Sequence, residues 1–287
     1  MGGAFSELIG NHIYSIHVDK PFSGFEMAGI KLHAAIDTVI KNNYVHHSCL
    51  GIWLDWMAQG ARISANLCHD NGSTDLFLEV NHGPYVVDNN ILLSETAVWE
   101  WSQGGAFSHN LFVGDIDHQP QDRQTPYHKE HSTEIAGMSS ISGGDNRFHN
   151  NMIVGSDGLR TYYGTKPSML VDGNVYLDGA VPYQGEVNFV ELPGFSPNIR
   201  LVEEKDGAHL LMTWPQANAE QQTQIVTTDL LGKARIPNLS YGNPDGTLLK
   251  IDSDYFGKRR NMKNPSAGPF EDPGQGKLSL KVWQGKL

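Results

Sequence analysis

Two copies of one pattern lie within residues 51–93, which read GIWLDWMAQGARISANLCHDNGSTDLFLEVNHGPYVVDNNILL. Each copy consists of a hydrophobic residue, two variable residues and an asparagine, first from Ile63 to Asn66 and then from Val87 to Asn90. Short, β-rich apolar runs surround the pattern and are interrupted by Asn, Gly and Asp residues typical of turns. A unit that recurs at such a spacing indicates a solenoid.

The pattern recurs along the first 175 residues. Its matches end at seven asparagines, namely Asn11, Asn43, Asn66, Asn90, Asn110, Asn151 and Asn174. Helical repeats are mostly longer and carry apolar residues at 3.6 spacing, which is not the pattern here. We therefore predict an all-β fold, a right-handed parallel β-helix in which the asparagine amides stack as a ladder. Asparagine also tolerates the left-handed backbone of a sharp corner. An all-β sandwich with chance asparagines is the alternative.

Two of the intervals between asparagines are longer than one period. The first contains a loop from Pro21 to Glu26, and the second contains a polar stretch from Gly114 to Ser140. Inserted loops of solenoids commonly lie on the binding face. We expect residues 1–180 to form the β-helix coils with the functional residues. Residues 181–287 are expected to form the last coils and an irregular β extension at the C-terminus.

The composition excludes several classes of partner. The chain has 287 residues and a net charge of −11, with 32 acidic against 21 basic residues. Nucleic acids and anionic membrane surfaces require basic patches, and no apolar run approaches the ~20 residues of a spanning helix. We expect no nucleic-acid partner, no membrane partner and no cofactor.

Cys49 and Cys68 are expected to be buried free thiols, with a disulfide as the alternative.

The N-terminus enters a repeat unit at Leu8 without a visible cap. An uncapped rung is an unpaired strand edge, which favours association. We therefore expect the chain to be the C-terminal part of a longer protein and to form homo-oligomers or aggregates in isolation. The absence of a signal pattern favours the cytoplasm, while the compartment stays open.

Asp55 and Glu79 are the main functional candidates, because each lies eleven residues before a repeat asparagine. Equal phase on adjacent coils places two side chains about 4.8 Å apart. Retaining glycosidases hold their two carboxyl groups ~5–5.5 Å apart, and inverting ones ~6.5–9.5 Å. We therefore predict a carboxyl pair about 5–6 Å apart on an accessible face, suited to retention. Repulsion between the two groups should raise one pKa.

The acidic pair has two other interpretations. A calcium site, as in polysaccharide lyases of this fold, usually needs three or more carboxylates, and neither Asp75 nor Glu100 shares the phase. A solvated acidic surface is disfavoured by the neighbours Trp53, Trp56 and His82. Aromatic rings beside acids are typical of sugar binding, so Trp53 and His82 are candidate sugar contacts.

Further candidates come from the phase count. Trp99 lies eleven residues before Asn110, which predicts an aromatic ring on the rung next to the pair. His33 lies one coil upstream, but the count places Leu32 outward there, so His33 reaches the site only if the register slips by one. Three loop histidines invite a zinc interpretation but match no common zinc spacing, and we expect no metal site: His118, His128 and His131.

Several strings resemble the β-xylosidases of glycoside hydrolase family 120. They are IKLHAAID (30–37), GIWLDWMAQG (51–60), DLFLEVNHGPYVVDNN (75–90), RQTPYHKEHST (123–133), DYFGKRR (254–260) and NPSAGPFE (264–271). The resemblance implies a right-handed parallel β-helix with an inserted β-sandwich, and a retaining mechanism on xylo-oligosaccharides. It implies that Asp55 is the nucleophile, that Glu79 is the acid/base and that Glu26 contacts the sugar in the −1 subsite. Arg123 and His128, in the loop string, are further candidate sugar contacts.

One departure from the family pattern stands out, because family members are about twice as long. Their N-terminal coils and sandwich have no counterpart in this sequence. The role assignment rests on the resemblance, since tryptophans around Asp55 would also suit an acid with a raised pKa.

Three functions are therefore compared. The leading hypothesis is a retaining glycoside hydrolase that cleaves short β-xylosides, with the sugar left open among xylose, arabinose and fucose. The second is a calcium-dependent β-helix polysaccharide lyase. The third is a sugar-binding or structural β-helix module without catalysis. An oligosaccharide is the expected partner in the first two cases.

Overall fold

The computed structural model describes residues 3–19, 26–155, 157–215 and 221–285. Most of the loop predicted from Pro21 to Glu26 lies outside the described residues, and only Glu26 is described. The chain winds through short parallel strands that stack into three sheets, which is the predicted right-handed parallel β-helix. We number the strands in chain order.

Each turn of the helix contributes one strand to two or three of the sheets. Sheet 1 consists of β1 (Glu7–Ile9), β4 (Val39–Lys41), β7 (Arg62–Ser64), β10 (Tyr85–Asp88), β13 (Gly105–Ser108), β18 (Arg147–His149) and β20 (Leu170–Asp172). Sheet 2 consists of β2 (His12–Tyr14), β5 (Tyr44–His46), β8 (Leu67–His69), β11 (Ile91–Leu92), β14 (Leu111–Val113), β19 (Met152–Val154), β21 (Val175–Leu177) and β22 (Val190–Leu192). Sheet 3 consists of β3 (Ile30–His33), β6 (Ile52–Asp55), β9 (Leu76–Glu79), β12 (Thr96–Trp101) and β15 (Asp115–His118).

The predicted asparagine ladder runs through the corner between sheets 1 and 2. The Nδ2 of Asn66 donates to Oδ1 of Asn90 at 2.9 Å, and the backbone N–H of Asn66 donates to the same oxygen at 2.9 Å. The same Nδ2 donates to the backbone oxygen of Ile40, the hydrophobic residue that opens the preceding repeat unit. Equivalent bonds join all seven repeat asparagines, which are Asn11, Asn43, Asn66, Asn90, Asn110, Asn151 and Asn174.

A carboxyl group ends the ladder. Oε1 of Glu186 accepts from Nδ2 of Asn174 at 2.7 Å and from its backbone N–H at 3.1 Å, in the place of a further asparagine. Burial raises the pKa of Glu186 to about 7, because the charged form loses its hydration. The ladder therefore has no buried amide without a partner at this end.

The prediction that the repeat asparagine itself takes the left-handed corner conformation is wrong. The residue with positive φ is the one before it, as at Ala65 (53°), Asn89 (57°) and His109 (56°). The repeat asparagine is required for its amide, which satisfies backbone and side-chain groups of the adjacent coils. The preceding position requires only a residue that can adopt the left-handed backbone conformation, which costs a non-glycine residue some strain energy.

The coil interior is apolar and follows the alternation of each strand. Leu54 and Leu78 are fully buried on adjacent strands of sheet 3, and Ile63 and Val87 are buried on sheet 1. Burying such side chains stabilises the fold by about 1.5–3 kcal/mol each. Cys68 lies in this core, and Cys49 and Cys68 are both free thiols, as expected.

The C-terminal third of the chain covers the outer faces of sheets 1 and 2. Antiparallel strands β23 (Arg200–Glu204), β24 (Gly207–Trp214) and β29 (Gly276–Gln284) pack apolar side chains such as Leu210 against sheet 2. Smaller elements pack on sheet 1, namely β25 (Val226–Thr227), helix α1 (Thr228–Leu231), β26 (Lys233–Ala234), β27 (Leu239–Ser240) and β28 (Lys250–Ile251). A 3₁₀ turn spans Arg160–Tyr162.

The polar insertion between Gly114 and Ser140 contains an antiparallel hairpin. Its strands are β16 (Gln124–His128) and β17 (Ile135–Ser140). The hairpin follows β15 of sheet 3 in the chain, so it emerges beside that sheet. This is the position expected for a loop on the binding face.

The first described coil presents apolar surface. Strands β1 and β2 lie at the edges of sheets 1 and 2, and the side chains of Phe5, Ile9 and Tyr14 beside them are exposed. Association through this edge stays a prediction.

Among the described residues, no helix has the length and apolar character needed to cross a bilayer.

The ladder should contribute strongly to stability. We expect Asn90→Ala to lower the free energy of unfolding by about 3–5 kcal/mol, because it leaves two buried N–H donors of Asn66 without their acceptor. Asn11→Ala is the matched control: Asn11 is exposed at the other end of the ladder, and its loss should cost less than about 1 kcal/mol. Urea unfolding followed by circular dichroism measures both values, and equal losses would contradict this role of the ladder.

Candidate active site

The outer face of sheet 3 brings the two predicted carboxylates together. Leu54 pairs in register with Leu78, so Asp55 and Glu79 follow on adjacent strands. Because Leu54 and Leu78 point into the core, alternation turns the two carboxylates outward. His33 pairs with Asp55, and Trp101 pairs with Glu79. One row across four strands therefore contains a histidine, two acids and a tryptophan.

The two carboxyl groups interact directly. Asp55 and Glu79 affect each other through their charges, since they lie at neighbouring positions of adjacent strands. Burial is the largest cause that raises the pKa of Glu79 to about 7, and the neighbouring charge of Asp55 is the second. The separation of about 5–6 Å between the two carboxyl groups stays a prediction, and the raised pKa makes Glu79 the group that retains a proton near neutral pH.

The surroundings of Asp55 suit an ionised carboxylate. Its Oδ2 lies 2.8 Å from Lys31 Nζ and 2.7 Å from His33 Nε2, and its Oδ1 accepts from the backbone N–H of Trp56 at 2.7 Å. The Asp55 side chain is only 6% exposed. A buried carboxylate needs such partners, since its charge has lost most of its water.

Glu26 joins the same network from the exposed side. It contacts Lys31 Nζ, and its Oε2 lies 3.4 Å from His33 Nε2. The hydrogen bond with Lys31 lowers the pKa of Glu26. Lys31 and His33 therefore each bridge a surface carboxylate and the buried Asp55.

His33 reaches the site, and the phase count that placed Leu32 outward is wrong. The loop from His33 to the bridge residue Ile36 is one residue shorter than the loop from Asp55 to Gln59, so counting back from the asparagine misplaces the strand by one. The same error hid Lys31, which lies two residues before His33 and therefore on the same face. A corrected phase on β3 would have identified it.

Trp99 is also displaced from its predicted position. It pairs with Phe77, and Trp101 is the residue level with Glu79. The connection from Trp101 to β13 is two residues shorter than the connection from Glu79 to β10, which shifts the count. The two indole rings are partly exposed and stack with centroids 5.7 Å apart at 18°. They form an aromatic surface beside the carboxyl pair.

Trp53 is less accessible than a sugar platform would be. It is 5% exposed and packs against Phe77 with centroids 5.0 Å apart. Lys31 Nζ lies 3.2 Å from the centre of its ring, a cation–π contact. The ammonium group of Lys31 therefore contacts both the ring of Trp53 and the carboxylate of Asp55.

Arg123 approaches the pair from the insertion that contains the hairpin. Its guanidinium lies 3.9 Å from Glu79 Oε1 and stacks over the ring of Trp56 at 5.6 Å. The positive charge opposes the rise of the Glu79 pKa but does not overcome burial. Because the Arg123 side chain is half-exposed, solvent screens much of this attraction.

His82 and His128 make hydrogen bonds to the hairpin and to the coils, and their role as sugar contacts stays a prediction. Nδ1 of His82 lies 2.7 Å from Gln103 Nε2 and its Nε2 lies 2.9 Å from the oxygen of Thr125. His128 is 3% exposed, and its backbone N–H donates to Gln59 at 3.0 Å. His82 contacts β16 at Thr125, and His128 lies at the end of β16 beside the hairpin turn, so both hold the hairpin against the coils.

A cation site in the active face has little support. Ligand atoms of Glu26, His33 and Asp55 lie within 4.8 Å of one another, but the ammonium group of Lys31 already contacts both carboxylates. Asp75 and Glu100, the other acids considered for a calcium site, are fully buried. The donor set around the pair therefore does not resemble the oxygen-rich shell that Ca²⁺ requires.

Solved structures similar to this chain were found, among them a complex with a sugar. No protein-family model and no curated protein matches the chain. A solved structure, described as the complex of XylC with xylose, is similar to this chain with a TM-score of 0.90 and 37% sequence identity. The similarity covers 98% of this chain and 48% of that one, so this chain spans about half the length of the XylC chain.

The raised pKa of Glu79 can be measured directly. We expect Glu79 to titrate near pH 7 and Asp55→Asn to lower this pKa, since the neighbouring negative charge is removed. The pKa should stay above 4.5 because burial, the larger cause, remains. Carboxyl-carbon NMR of glutamate-labelled protein, assigned with Glu79→Gln, follows the titration. The exposed Asp157→Asn is the control, and titration of wild-type Glu79 near 4.5 would contradict the assignment.

Proposed function

We propose that this chain contains the active site of a retaining glycoside hydrolase that cleaves short β-xylosides, as in glycoside hydrolase family 120. The observation that carries the proposal is the Asp55–Glu79 pair, in which one acid is surrounded by cationic and N–H donors and the other retains a proton near neutral pH. The similarity to XylC in complex with xylose supports a sugar as the substrate. It also supports xylose as the first sugar to test.

The proposed reaction proceeds by two displacements. Asp55 attacks the anomeric carbon while Glu79 protonates the departing oxygen, so the glycosidic bond breaks as the glycosyl–Asp55 ester forms. Glu79, now ionised, removes a proton from water, and the resulting nucleophile attacks the same carbon. The sugar leaves with its original configuration, and both carboxyl groups return to their starting state.

The local charges support this division of roles. Lys31 Nζ and His33 Nε2 lie within 2.8 Å of Asp55 Oδ2 and so hold the proposed nucleophile in place. Glu79 is half-buried and next to a negative charge, which are the conditions that preserve a proton on an acid catalyst. The opposite assignment, with Asp55 as the acid, has less support from these contacts.

The proposed sugar contacts surround the pair on its accessible side. Glu26 and His33 offer polar groups on one side, and Arg123 offers a guanidinium from the insertion on the other. Trp99 and the newly identified Trp101 offer stacked rings for an apolar sugar face. Trp53 contacts Lys31, and His82 and His128 hold the hairpin beside the site.

The roles are separable by substitution and azide rescue. Asp55→Gly should abolish turnover of aryl β-xylosides, because no glycosyl-enzyme can form, and azide should restore some activity with a product of inverted configuration. Glu79→Ala should retain activity on dinitrophenyl β-xyloside, whose leaving group needs little protonation. Azide should then give a product of retained configuration. NMR of the anomeric proton identifies each product.

Several outcomes would overturn the proposal. Rescue of the Asp55 variant by a better leaving group would exchange the two roles. An unsaturated product that depends on calcium would indicate a lyase, and binding of xylo-oligosaccharide without any turnover would indicate a binding module. Arabinosides and fucosides tested beside the xylosides, on this chain and on a full-length relative, identify the preferred sugar.

The pH dependence follows from the protonated acid. The activity, kcat/KM, should fall as the pH rises through about 7, because Glu79 must carry its proton when the sugar bond breaks. Arg123→Gln should move this limb to higher pH, since the guanidinium lowers the pKa of Glu79, and the shift should be small because Arg123 is half-exposed. Lys129→Gln, in the same hairpin, is the control. Activity that increases from neutral to alkaline pH would contradict the acid role.

A further inference from the structure

A second cluster of titratable side chains lies on sheet 2, outside the active face. The rings of His46 and His69 belong to adjacent strands, β5 and β8, and stack in register with centroids 4.9 Å apart. Both side chains are buried. His12 joins them from β2, with its Nε2 2.7 Å from Nε2 of His46, and His47 lies 2.7 Å away through Nδ1. Four imidazoles thus meet on one outer face.

Glu203 completes the cluster from the C-terminal extension. It lies on β23, which packs over sheet 2, and its Oε1 is 3.7 Å from His69 Nε2. One ligand atom from each of His46, His69 and Glu203 lies within 4.8 Å of the other two. The cluster therefore joins two coils of the β-helix to the strand that covers them.

The hydrogen bonds at His69 leave one acceptor too many. Nδ1 of His69 lies 2.7 Å from Asp70 Oδ2, so this nitrogen carries a proton, and in the neutral ring Nε2 then has a free lone pair. The hydroxyl of Tyr44 lies 2.7 Å from that Nε2 and 2.5 Å from Glu203 Oε1. A phenol has one proton and serves one of these two acceptors. A cation at this point would satisfy both.

We propose that His46, His69 and Glu203 bind a divalent transition-metal ion of the Zn²⁺ class. Imidazole nitrogens and one carboxylate oxygen are donors that zinc prefers, whereas Ca²⁺ and Mg²⁺ prefer oxygen shells. Asp70 accepts from the other ring nitrogen of His69 and so orients it, as carboxylates do for metal-binding histidines. A water supplies the fourth ligand.

The distances suit this assignment. Bonds of about 2.0–2.2 Å from zinc to nitrogen and oxygen place the ligand atoms of a tetrahedral ion roughly 3.3–3.5 Å apart. The 3.7 Å between His69 Nε2 and Glu203 Oε1 is close to that span. Because Glu203 belongs to the extension, the ion would fasten β23 to the coils and stabilise the folded state without taking part in the sugar chemistry.

Zinc titration of the full chain, free of any polyhistidine tag and treated with chelator, tests the proposal. We expect isothermal titration calorimetry to detect one tight equivalent of Zn²⁺ and differential scanning calorimetry to record a higher Tm with zinc. Glu203→Gln should weaken binding by about 10–100-fold or more and remove the Tm shift. Its side chain is partly exposed, so this variant should fold. His69→Gln should have the same effect.

His209→Gln is the matched control, because His209 lies opposite Glu203's neighbour Val202 in the same hairpin and belongs to a separate group with Glu204 and Asp206. This variant should bind zinc as the wild type does. The proposal is overturned if wild type and Glu203→Gln bind zinc equally, or if His209→Gln loses the tight equivalent. An equal response to Ca²⁺ would also overturn it. Turnover of xylosides should be unchanged in Glu203→Gln, which separates this test from that of the proposed function.

Discussion

The stacked asparagine amides are the constraint on which the rest of the molecule depends. Each buried amide donates to two acceptors and its oxygen accepts from two donors, all on adjacent coils. A slip of one residue would leave these groups unpaired and would turn each strand's apolar side chains outward. The ladder therefore holds the coils in one register, and residues at equivalent positions form straight rows across the sheets.

This register places Asp55 and Glu79 in one row, and the proposed chemistry depends on that placement. Two carboxylates one rung apart repel each other, and the environment resolves the repulsion by making the two groups unlike. Lys31, His33 and a backbone N–H surround Asp55, while burial beside that charge keeps a proton on Glu79. The difference between the two carboxyl groups thus follows from the neighbours that each strand contributes.

The segments outside the ladder determine which faces remain available. The C-terminal strands cover sheet 2 and the smaller elements cover sheet 1, so the polar side chains of sheet 3 face solvent beside the β16–β17 hairpin. His82 and His128 are used to hold that hairpin, which lets Arg123 reach Glu79. The buried His82 and His128 have structural contacts, and the half-exposed Arg123 approaches Glu79.

The sequence by itself determined the architecture and the central pair. The hydrophobic-x-x-Asn spacing predicted the β-helix because a buried amide ladder demands one asparagine per coil, and equal distances from Asn66 and Asn90 placed Asp55 and Glu79 together. Prediction from the sequence failed where the connections between strands differ in length from one coil to the next. Trp101 rather than Trp99 adjoins Glu79, and His33 rather than Leu32 faces outward. Counting residues measures distance along the chain, whereas backbone hydrogen bonds set the register.

Only the tertiary structure decided the contacts between distant segments. Arg123 beside Glu79 and Glu203 beside His69 each depend on how an insertion or an extension folds back on the coils. No periodicity links such residues, because their approach is produced by packing of apolar faces rather than by a repeated hydrogen-bond pattern.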